Sequence, residues 1–310
     1  MTRLGIASGS LIVLAACFST GEGKEGYNLW TKERVRYLLE RTKREPENAN
    51  LHVMISKAYF EDRQPRRAEK HLRMALKMEP NFAEAHCNLA VMLHAQRRLS
   101  GARQHYEAAL AADSTMVEAM AGLGTLLCGT NRRGEGIQQL ERVLELDPSR
   151  HKARYNLSVA YHKVGDYVKA IEHLHHLLAE QPGYPGCRHA LAQAYFSRGL
   201  ILLNAKQPEE SLGFFDNALE RDSDDDFHFA KGIAYLRMGE MKAAEQSFAA
   251  AIKMNDEHVP ALHNLATVFE LTDRPSEAWQ CYDRVRVLTP HIDTIEAARA
   301  ARYDEAYLME

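Results

Sequence analysis

Proline recurs in this 310-residue chain at multiples of 34 residues, and no other feature constrains its fold as strongly. Pro46 and Pro80 are 34 residues apart, Pro80 and Pro148 are 68 apart, and Pro182 follows after another 34. Proline also suits the first turn of a helix, because the N–H that it lacks there would have no helical partner. A second proline series falls where each unit's second helix would begin: Pro65, Pro208 and Pro275. A period of this length indicates a solenoid of stacked units.

Small residues occupy two equivalent positions in each period. The first position holds Ser56, Ala90, Gly124, Ser158, Gly199, Gly232 and Ala266. The second position, twelve residues later, holds Ala68, Ala102, Gly136, Ala170, Ser211, Ala244 and Ala278. Small residues where two helices cross let their backbones approach, and the large apolar residues that follow fill the space beside them. The pattern predicts seven helical hairpins.

This pattern resembles the tetratricopeptide repeat, a helix–turn–helix unit, over nearly all of residues 27–290. The resemblance implies an all-α fold, in which about seven hairpins form a right-handed superhelix. We expect the seven units over 49–290, with a degenerate half-repeat at 27–48 before them. Residues 291–310 would form the polar-faced capping helix that such an array needs for solubility.

One interval departs from the period. The equivalent residues Leu174 and Phe215 are 41 residues apart, so seven residues are inserted, near 183–199. Seven residues make almost two full turns of an α-helix. We therefore expect one helix, from about residue 188 to 205, to be longer than the others by two turns.

The first residues have the pattern of an export signal. Arg3 precedes an apolar run over residues 4–16, which at about 1.5 Å per residue is too short to cross a bilayer core of about 30 Å. A positive start and a short apolar core are typical of a secretory signal peptide. The run ends in Leu14-Ala15-Ala16-Cys17.

These four residues resemble the lipobox of bacterial lipoproteins. The resemblance implies that residues 1–16 are removed, that a lipid is attached to Cys17 and that residues 17–26 form a flexible tether. No Asp follows Cys17, which by the sorting rule of that class implies an outer-membrane protein facing the periplasm. An ordinary cleaved signal peptide with a coincidental Cys is the alternative.

Composition and motifs argue against several functions. The chain has 39 Lys and Arg against 42 Asp and Glu, so its net charge of −3 provides no field for nucleic-acid binding. It has no phosphate-binding loop, nucleophile elbow or His-Glu-x-x-His sequence, so we predict neither catalysis nor a cofactor. The acidic run 222–226 lacks the Gly and Glu of an EF-hand, and we interpret it as a helix cap.

Histidines and cysteines are the other candidate ligands. His173 and His176 could lie one helical turn apart, with His175 beside them, but two imidazoles alone make a weak metal site. We therefore predict no metal. The four cysteines after Cys17 fall in different repeats, too far apart to form disulfides.

Charge is unevenly distributed along the chain. Residues 18–100 contain 16 Lys and Arg against 11 Asp and Glu, whereas residues 101–310 contain 22 against 31. The basic first third could contact anionic lipid or a cell-wall polymer. Screening of exposed charges within about 10 Å favours the simpler interpretation, that these charges serve solubility.

In the repeat family the first helices line a concave face that holds a peptide or a partner helix. The residues that we expect to form such a groove are Tyr155, His162, Phe196, Leu200, Leu203, Phe229, Ile233 and Leu236. Six of them are adjacent apolar groups, which could bury an amphipathic helix or an extended peptide at about 25 cal/mol per Å². The alternative is that the lengthened helix fills the groove itself.

The resemblances together imply a non-catalytic scaffold or adaptor lipoprotein, which binds a protein or peptide partner during envelope assembly. Residues 123–128, Leu-Gly-Thr-Leu-Leu-Cys, resemble a helix of the lipidated pilotins that assist secretin assembly in type IV pili. A pilotin is therefore one alternative. The regulatory subunit of a cell-wall or envelope enzyme is another.

Overall fold

A computed structural model describes residues 23–289 of the chain, and their side chains from residue 32. The described residues form fifteen α-helices and no strand, which confirms the predicted all-α fold. The helices are α1 (Gly23–Arg44), α2 (Ala49–Glu61), α3 (Pro65–Met78), α4 (Ala83–Ala95), α5 (Leu99–Ala112), α6 (Val117–Cys128), α7 (Arg133–Leu146), α8 (His151–Lys163), α9 (Tyr167–Glu180), α10 (Cys187–Asn204), α11 (Pro208–Leu219), α12 (Asp225–Met238), α13 (Met241–Met254), α14 (Val259–Leu271) and α15 (Pro275–Leu288). Helices α2 to α15 pair into seven hairpins.

Several predicted segments lie outside the described residues: the signal peptide 1–16, the predicted lipidation site Cys17 and the capping helix 291–310. Helix α1 begins at Gly23, so the last four residues of the predicted tether, 17–26, are helical. Lys24 and Glu25 are good helix formers, which explains the early start. Among the described helices, none combines the length and the apolar composition that crossing a bilayer requires.

The prolines occupy the positions that their spacing predicts. Pro65, Pro208 and Pro275 each stand at the start of a second helix, α3, α11 and α15. Pro80 and Pro148 lie in loops between hairpins. The chain divides into two compact units at this second loop proline: residues 1–148, with α1 to α7, and residues 149–310, with α8 to α15.

In the first unit the hairpin α6–α7 shows why small residues are needed where the helices cross. A β-carbon added to Gly136 would lie 2.6 Å from the backbone nitrogen of Cys128 and 2.7 Å from the carbonyl oxygen of Gly124. Neither neighbour is the movable end of a side chain. Both glycines are buried, and only a residue without a side chain allows the two backbones to approach this closely.

In the second unit the same positions bring a small residue against a large one. A β-carbon on Gly199 would lie 2.6 Å from the Phe215 ring, and one on Gly232 would lie 2.5 Å from the Phe248 ring. Ala170 and Ala244 are fully buried at the equivalent crossing positions of α9 and α13. Small residues and aromatic rings thus interdigitate in the cores of the hairpins α10–α11 and α12–α13.

The inserted residues divide between a helix and a loop. Helix α10 has 18 residues, whereas the other first helices, α2, α4, α6, α8, α12 and α14, have 12 to 14. The loop before it, residues 181–186, has six residues where most equivalent loops have four. Helix α10 is therefore five residues longer than a typical first helix and not two full turns longer. Pro185 and Gly186 end the loop, Gly186 with a φ of 74°, and they prevent the helix from beginning earlier.

Two pairs of histidines join the helices of the first two hairpins, and sequence analysis did not anticipate them. The Nδ1 atoms of His52 and His71 are 3.0 Å apart. One period later, the Nδ1 atoms of His86 and His105 are 2.9 Å apart. The Nε2 atom of His86 is 2.9 Å from the carbonyl oxygen of Pro80 and donates to it, so His105 donates to His86 when both rings are neutral.

Burial favours the neutral form of His52, His71 and His105. Burial, and then the charges of His52 and Lys70, lower the pKa of His71 to about 4. Burial also lowers the pKa of His52 and, together with the charge of His86, that of His105. If both rings of a pair were protonated, both facing nitrogens would be donors and the hydrogen bond would be lost.

Overpacking the crossings should destabilise the protein. We expect Ala170→Leu and Ala244→Leu each to lower the free energy of unfolding by about 1–3 kcal/mol, because a larger side chain at a closed crossing displaces its neighbours. Urea denaturation followed by circular dichroism measures the effect. Ala179→Leu and Ala249→Leu are the matched controls, since these alanines are exposed on the same two helices. Equal stability of all four variants would contradict the assigned crossings.

The histidine pairs should make stability depend on pH. Because the folded state lowers the pKa of His52, His71 and His105, the unfolded state binds more protons than the folded state below about pH 6.5. The contribution of these histidines to the free energy of unfolding is therefore complete above about pH 6.5. It falls as the pH decreases, and for His71 the loss levels off below a pH of about 4. Between pH 7 and 4.5 we expect the wild type to lose about 1–2 kcal/mol more than His71→Gln/His105→Gln, allowing for solvent at these half-buried rings.

Urea titrations at the two pH values measure this difference. His176→Gln is the control, because His176 lies exposed on α9. It should show the pH dependence of the wild type. If the double variant also shows that dependence, the pairs do not cause it.

Candidate functional site

The predicted groove lies entirely within the second unit, on consecutive first helices. Helix α8 carries Tyr155 and His162, α10 carries Phe196, Leu200 and Leu203, and α12 carries Phe229, Ile233 and Leu236. Helix α10 contacts both α8 and α12. Spacings of three, four and seven residues place the members of each helix on one face.

Two of the eight residues are buried and leave the predicted surface. Leu203 is 0% exposed and packs with Phe215, Ala230 and Ala234. Phe229 is 4% exposed, and its ring centroid lies 5.8 Å from that of Phe248. Both side chains therefore lie in the core and not on the expected surface, because residues of the neighbouring helices close over them.

Four apolar residues of α10 and α12 remain half-buried, and we call them the α10–α12 apolar face: Phe196, Leu200, Ile233 and Leu236. Phe196 and Leu200 pack against the cluster around Phe215, and the centroids of the Phe196 and Phe227 rings are 4.7 Å apart. Ile233 belongs to that cluster and also to the next one, around Phe248. The four side chains thus rest on the core on one side and meet solvent on the other.

A histidine and a serine meet at the edge of the face. The Nε2 atom of His162 is 3.1 Å from the hydroxyl oxygen of Ser197, which joins α8 to α10. Burial lowers the pKa of His162, so its ring is neutral near pH 7 and can accept or donate one hydrogen bond per nitrogen. Sequence analysis missed this pair, because 35 residues separate its members.

The longer loop before α10 covers the position of Tyr155. The ring centroids of Tyr155 and Tyr184 are 5.5 Å apart. A β-carbon on Gly186 would lie 3.1 Å from the Tyr155 hydroxyl. The inserted residues therefore partly cover the α8 end of the predicted groove, while the α10–α12 apolar face stays half-exposed.

A polar side chain beside the face contacts the end of a neighbouring helix. Arg237, which follows Leu236, donates from Nη1 to the carbonyl oxygen of Leu203 at 2.6 Å. The same carbonyl, in the last turn of α10, also accepts a hydrogen bond from the backbone N–H of Lys206 at 3.1 Å, so Arg237 adds a second, charge-assisted bond there. On the far side of α12, His263 and Thr267 of α14 are buried, so at these positions α14 offers no surface beside the face.

The other candidate ligands have separate structural partners. His173 stacks on Tyr161 with ring centroids 5.7 Å apart, and the Nε2 atom of His175 is 2.6 Å from the Tyr195 hydroxyl. The Nδ1 atom of His176 is 3.6 Å from a carboxylate oxygen of Glu180. No group of three or more His, Cys, Asp or Glu that could hold a metal ion occurs among the described residues.

The acidic run and the cysteines also have local roles. Asp224 is the N-cap of α12, where its carboxylate accepts a hydrogen bond from the backbone N–H of Asp226, which confirms the interpretation of the run as a helix cap. No disulfide joins Cys87, Cys128, Cys187 or Cys281. Burial raises the pKa of Cys87 to about 12, so this thiol stays protonated.

Comparison with known proteins finds the same repeat along the chain. Family models of the tetratricopeptide repeat match residues 53–117, 93–160, 153–184 and 229–291, which together are more than half of the chain. The TPR repeat-containing protein MJ1428 of Methanocaldococcus jannaschii is 28% identical over 80 residues. The match covers 26% of this chain and 14% of that protein, so the chain spans only a small part of its relative's length.

Solved structures share the fold at low sequence identity. The C-terminal part of a TPR repeat-containing protein from Cytophaga hutchinsonii aligns with a TM-score of 0.59 and 15% identity, covering 80% of this chain and 98% of that one. Naa15/Naa10 bound to HypK-THB aligns with a TM-score of 0.53 and 16% identity, covering 90% of this chain and 42% of that one. The type IV pilus biogenesis factor PilW aligns with a TM-score of only 0.45 and 22% identity, over 71% of this chain and 98% of PilW. At these identities the first two alignments show the fold alone.

Proposed function

Since this chain belongs to the tetratricopeptide repeat family, we propose that it is a non-catalytic scaffold that binds a protein or peptide partner on its α10–α12 apolar face. The observation that carries the proposal is the face itself. Phe196, Leu200 and Ile233 pack on one core cluster, Ile233 and Leu236 pack on the next, and all four are apolar and only half-buried. They lie on helices that in this family line the concave side. Covering the remaining surface of such a patch favours association by about 25 cal/mol per Å².

The surroundings of the face indicate the chemistry of the partner. Its apolar side chains suit the apolar stripe of an amphipathic helix, with anchors three and four residues apart. Arg237 stands at one edge, where an acidic group of the partner could share its guanidinium with the carbonyl oxygen of Leu203. His162 and Ser197 stand at another edge, where a backbone group could hydrogen-bond to them.

A scaffold describes the site better than an enzyme does. The pair of Ser197 and His162 is the nearest arrangement to a nucleophile with its base, but His162 has no carboxylate partner among the described residues to orient its ring. Ser197 also lies inside α10, without the strained turn that exposes a catalytic serine. The proposal therefore assigns this pair to the joint between α8 and α10.

The cell envelope is the proposed location, and lipid at Cys17 the proposed anchor. The support is the apolar run that ends in Leu-Ala-Ala-Cys, together with the absence of Asp after the Cys. Two or more acyl chains anchor a protein stably, whereas a single chain binds a membrane only weakly. A lipid-anchored scaffold would hold its partner close to the membrane during envelope assembly.

Two more specific functions are compatible with a partner-binding scaffold. Residues 123–128, in α6, resemble a helix of type IV pilus pilotins, and a regulatory subunit of an envelope enzyme would use the same kind of groove. The alternatives differ in the partner. Photo-crosslinking in intact cells from Leu200 and Leu236 identifies it: a secretin would indicate a pilotin, and a cell-wall enzyme would indicate a regulatory subunit.

Charged substitutions on the face should abolish partner binding without unfolding the protein. We expect Leu200→Glu/Leu236→Glu to weaken capture of the crosslinked partner at least tenfold, because each carboxylate must lose water to enter an apolar interface. Purified variants are compared by pull-down at several partner concentrations. Phe229 is avoided, because a charge at that buried position would unfold the repeat.

The matched control is Val168→Glu/Met254→Glu. It introduces the same two charges in the same unit, at exposed apolar residues of second helices. Circular dichroism melting verifies that both double variants are folded. Equal capture by both would assign the partner to another surface.

Replacing the predicted lipidated residue should release the protein from membranes. We expect Cys17→Ser to abolish labelling by a radioactive fatty acid and to shift the protein to the soluble fraction, since a serine at position 17 has no thiol to carry the lipid. Cys281→Ser is the control and should retain both labelling and sedimentation. Labelling of the Cys17→Ser variant would contradict the anchor.

A further inference from the structure

The second helix of the first hairpin carries a line of positive charge. Four exposed cations of α3 follow one another at intervals of three or four residues, and we call them the α3 basic stripe: Arg66, Lys70, Arg73 and Lys77. On an α-helix this spacing places them in one row about 16 Å long. The row lies on the side of α3 opposite the buried Leu72.

No other second helix among the described residues has such a row. The equivalent positions of α5 are Ser100, Gln104, Glu107 and Ala111. Helix α13 comes nearest, with Lys242 and Lys253 at the ends of the row and uncharged residues between them. The repeat fold therefore does not require cations at these positions, and the stripe is a property of α3 alone.

The stripe is not neutralised within the described part of the chain. Arg66, Lys70 and Lys77 have no carboxylate within ion-pair distance there. Arg73 does contact Glu69, with 2.8 Å between nitrogen and oxygen, but Arg98 contacts the same carboxylate at 3.2 Å. Like charges four residues apart destabilise a helix, so the stripe opposes the folding of α3.

An anionic membrane surface is the partner that this geometry suits. Met74 and Met78 follow Arg73 and Lys77 in the sequence and expose 36% and 38% of their surface at one edge of the stripe. A row of cations with an apolar edge is the arrangement of helices that lie on anionic membranes, where cations meet phosphates and apolar groups enter the headgroup boundary. The stripe also occupies the outward side of a helix instead of a cleft, which a small anionic ligand would need.

We propose that the α3 basic stripe binds the headgroups of anionic phospholipids at a membrane surface. The guanidinium groups of Arg66 and Arg73 can each donate two hydrogen bonds to a phosphate, while Lys70 and Lys77 act as point charges. This contact is independent of the α10–α12 apolar face and of lipid at Cys17. If Cys17 also carries a lipid, the stripe adds a second membrane contact, and a lipid together with a basic patch anchors a protein more stably than a single lipid chain does.

Vesicle sedimentation of the full chain tests the proposal. The vesicles contain phosphatidylcholine alone, or phosphatidylcholine with 40% phosphatidylglycerol, and binding is measured at about 0.1 M and 0.5 M salt. Binding to pure phosphatidylcholine reports every contribution that does not depend on lipid charge, including that of residues 4–16. The wild type should bind the anionic vesicles more tightly, and salt should remove this difference because it screens the charges.

The variant Arg66→Gln/Lys70→Gln/Arg73→Gln/Lys77→Gln should lose the part of vesicle binding that depends on lipid charge. Each cation contributes about fivefold to the affinity, so the affinity for anionic vesicles should fall by about two orders of magnitude or more. The control Arg188→Gln/Lys206→Gln/Lys242→Gln/Lys253→Gln removes four exposed cations of the second unit. It should keep most of this binding. Circular dichroism verifies that both variants are folded.

Three results would overturn the proposal. The wild type could show no preference for anionic vesicles, or the two quadruple variants could lose it equally, which would indicate net charge alone. The third result is retention of the wild type on immobilised polyglutamate or an oligonucleotide, together with no preference for anionic vesicles. That outcome would assign the stripe to a different polyanion.

Discussion

The close crossing of two helix backbones within each hairpin is the contact on which the described structure depends. At α6–α7 the crossing is so tight that a single added carbon on Gly136 would meet backbone atoms of Gly124 and Cys128. At α12–α13 the space left by Gly232 is occupied by the Phe248 ring. Separating either pair of helices would expose the large side chains that pack beside the crossing, so each hairpin keeps its small residue or loses its core.

This constraint explains which parts of the fold are predictable from the sequence. A crossing that admits only small residues must repeat with the structural unit, so a 34-residue period appears in the sequence and locates the hairpins. Pro65 at the first turn of α3 and Asp224 at the N-cap of α12 are also predictable. Both suit the first turn of a helix, where backbone N–H groups have no helical partner: proline lacks the N–H, and aspartate accepts a hydrogen bond from one. The pairing of His52 with His71 was missed, because which side chains meet between two helices depends on their tertiary packing.

Exposure within the candidate site could not be predicted either. The period gives Tyr155, Phe196 and Phe229 the same position in three repeats, yet only Phe229 is buried. The difference comes from neighbours outside the repeat position: Phe248 and His258 close over Phe229, whereas Tyr155 meets the longer loop at Tyr184. The seven inserted residues show the same limit. Their number follows from the sequence. Their division between helix and loop does not, because Pro185 and Gly186 end the helix at its N-terminal side and leave two of the inserted residues in the loop.

The residues that the crossings leave unconstrained carry the proposed functions, and the two units use them differently. In the second unit four half-buried positions of α10 and α12 are apolar, whereas in the first unit four exposed positions of α3 are cationic. Salt acts on the two surfaces in opposite directions: it screens exposed charges at the stripe, while salts excluded from protein surfaces strengthen apolar burial. Because the surfaces share no residue and differ in driving force, the two proposed contacts would not compete for a site. A regular repeat permits this, since changing an outward residue does not disturb the crossing beneath it.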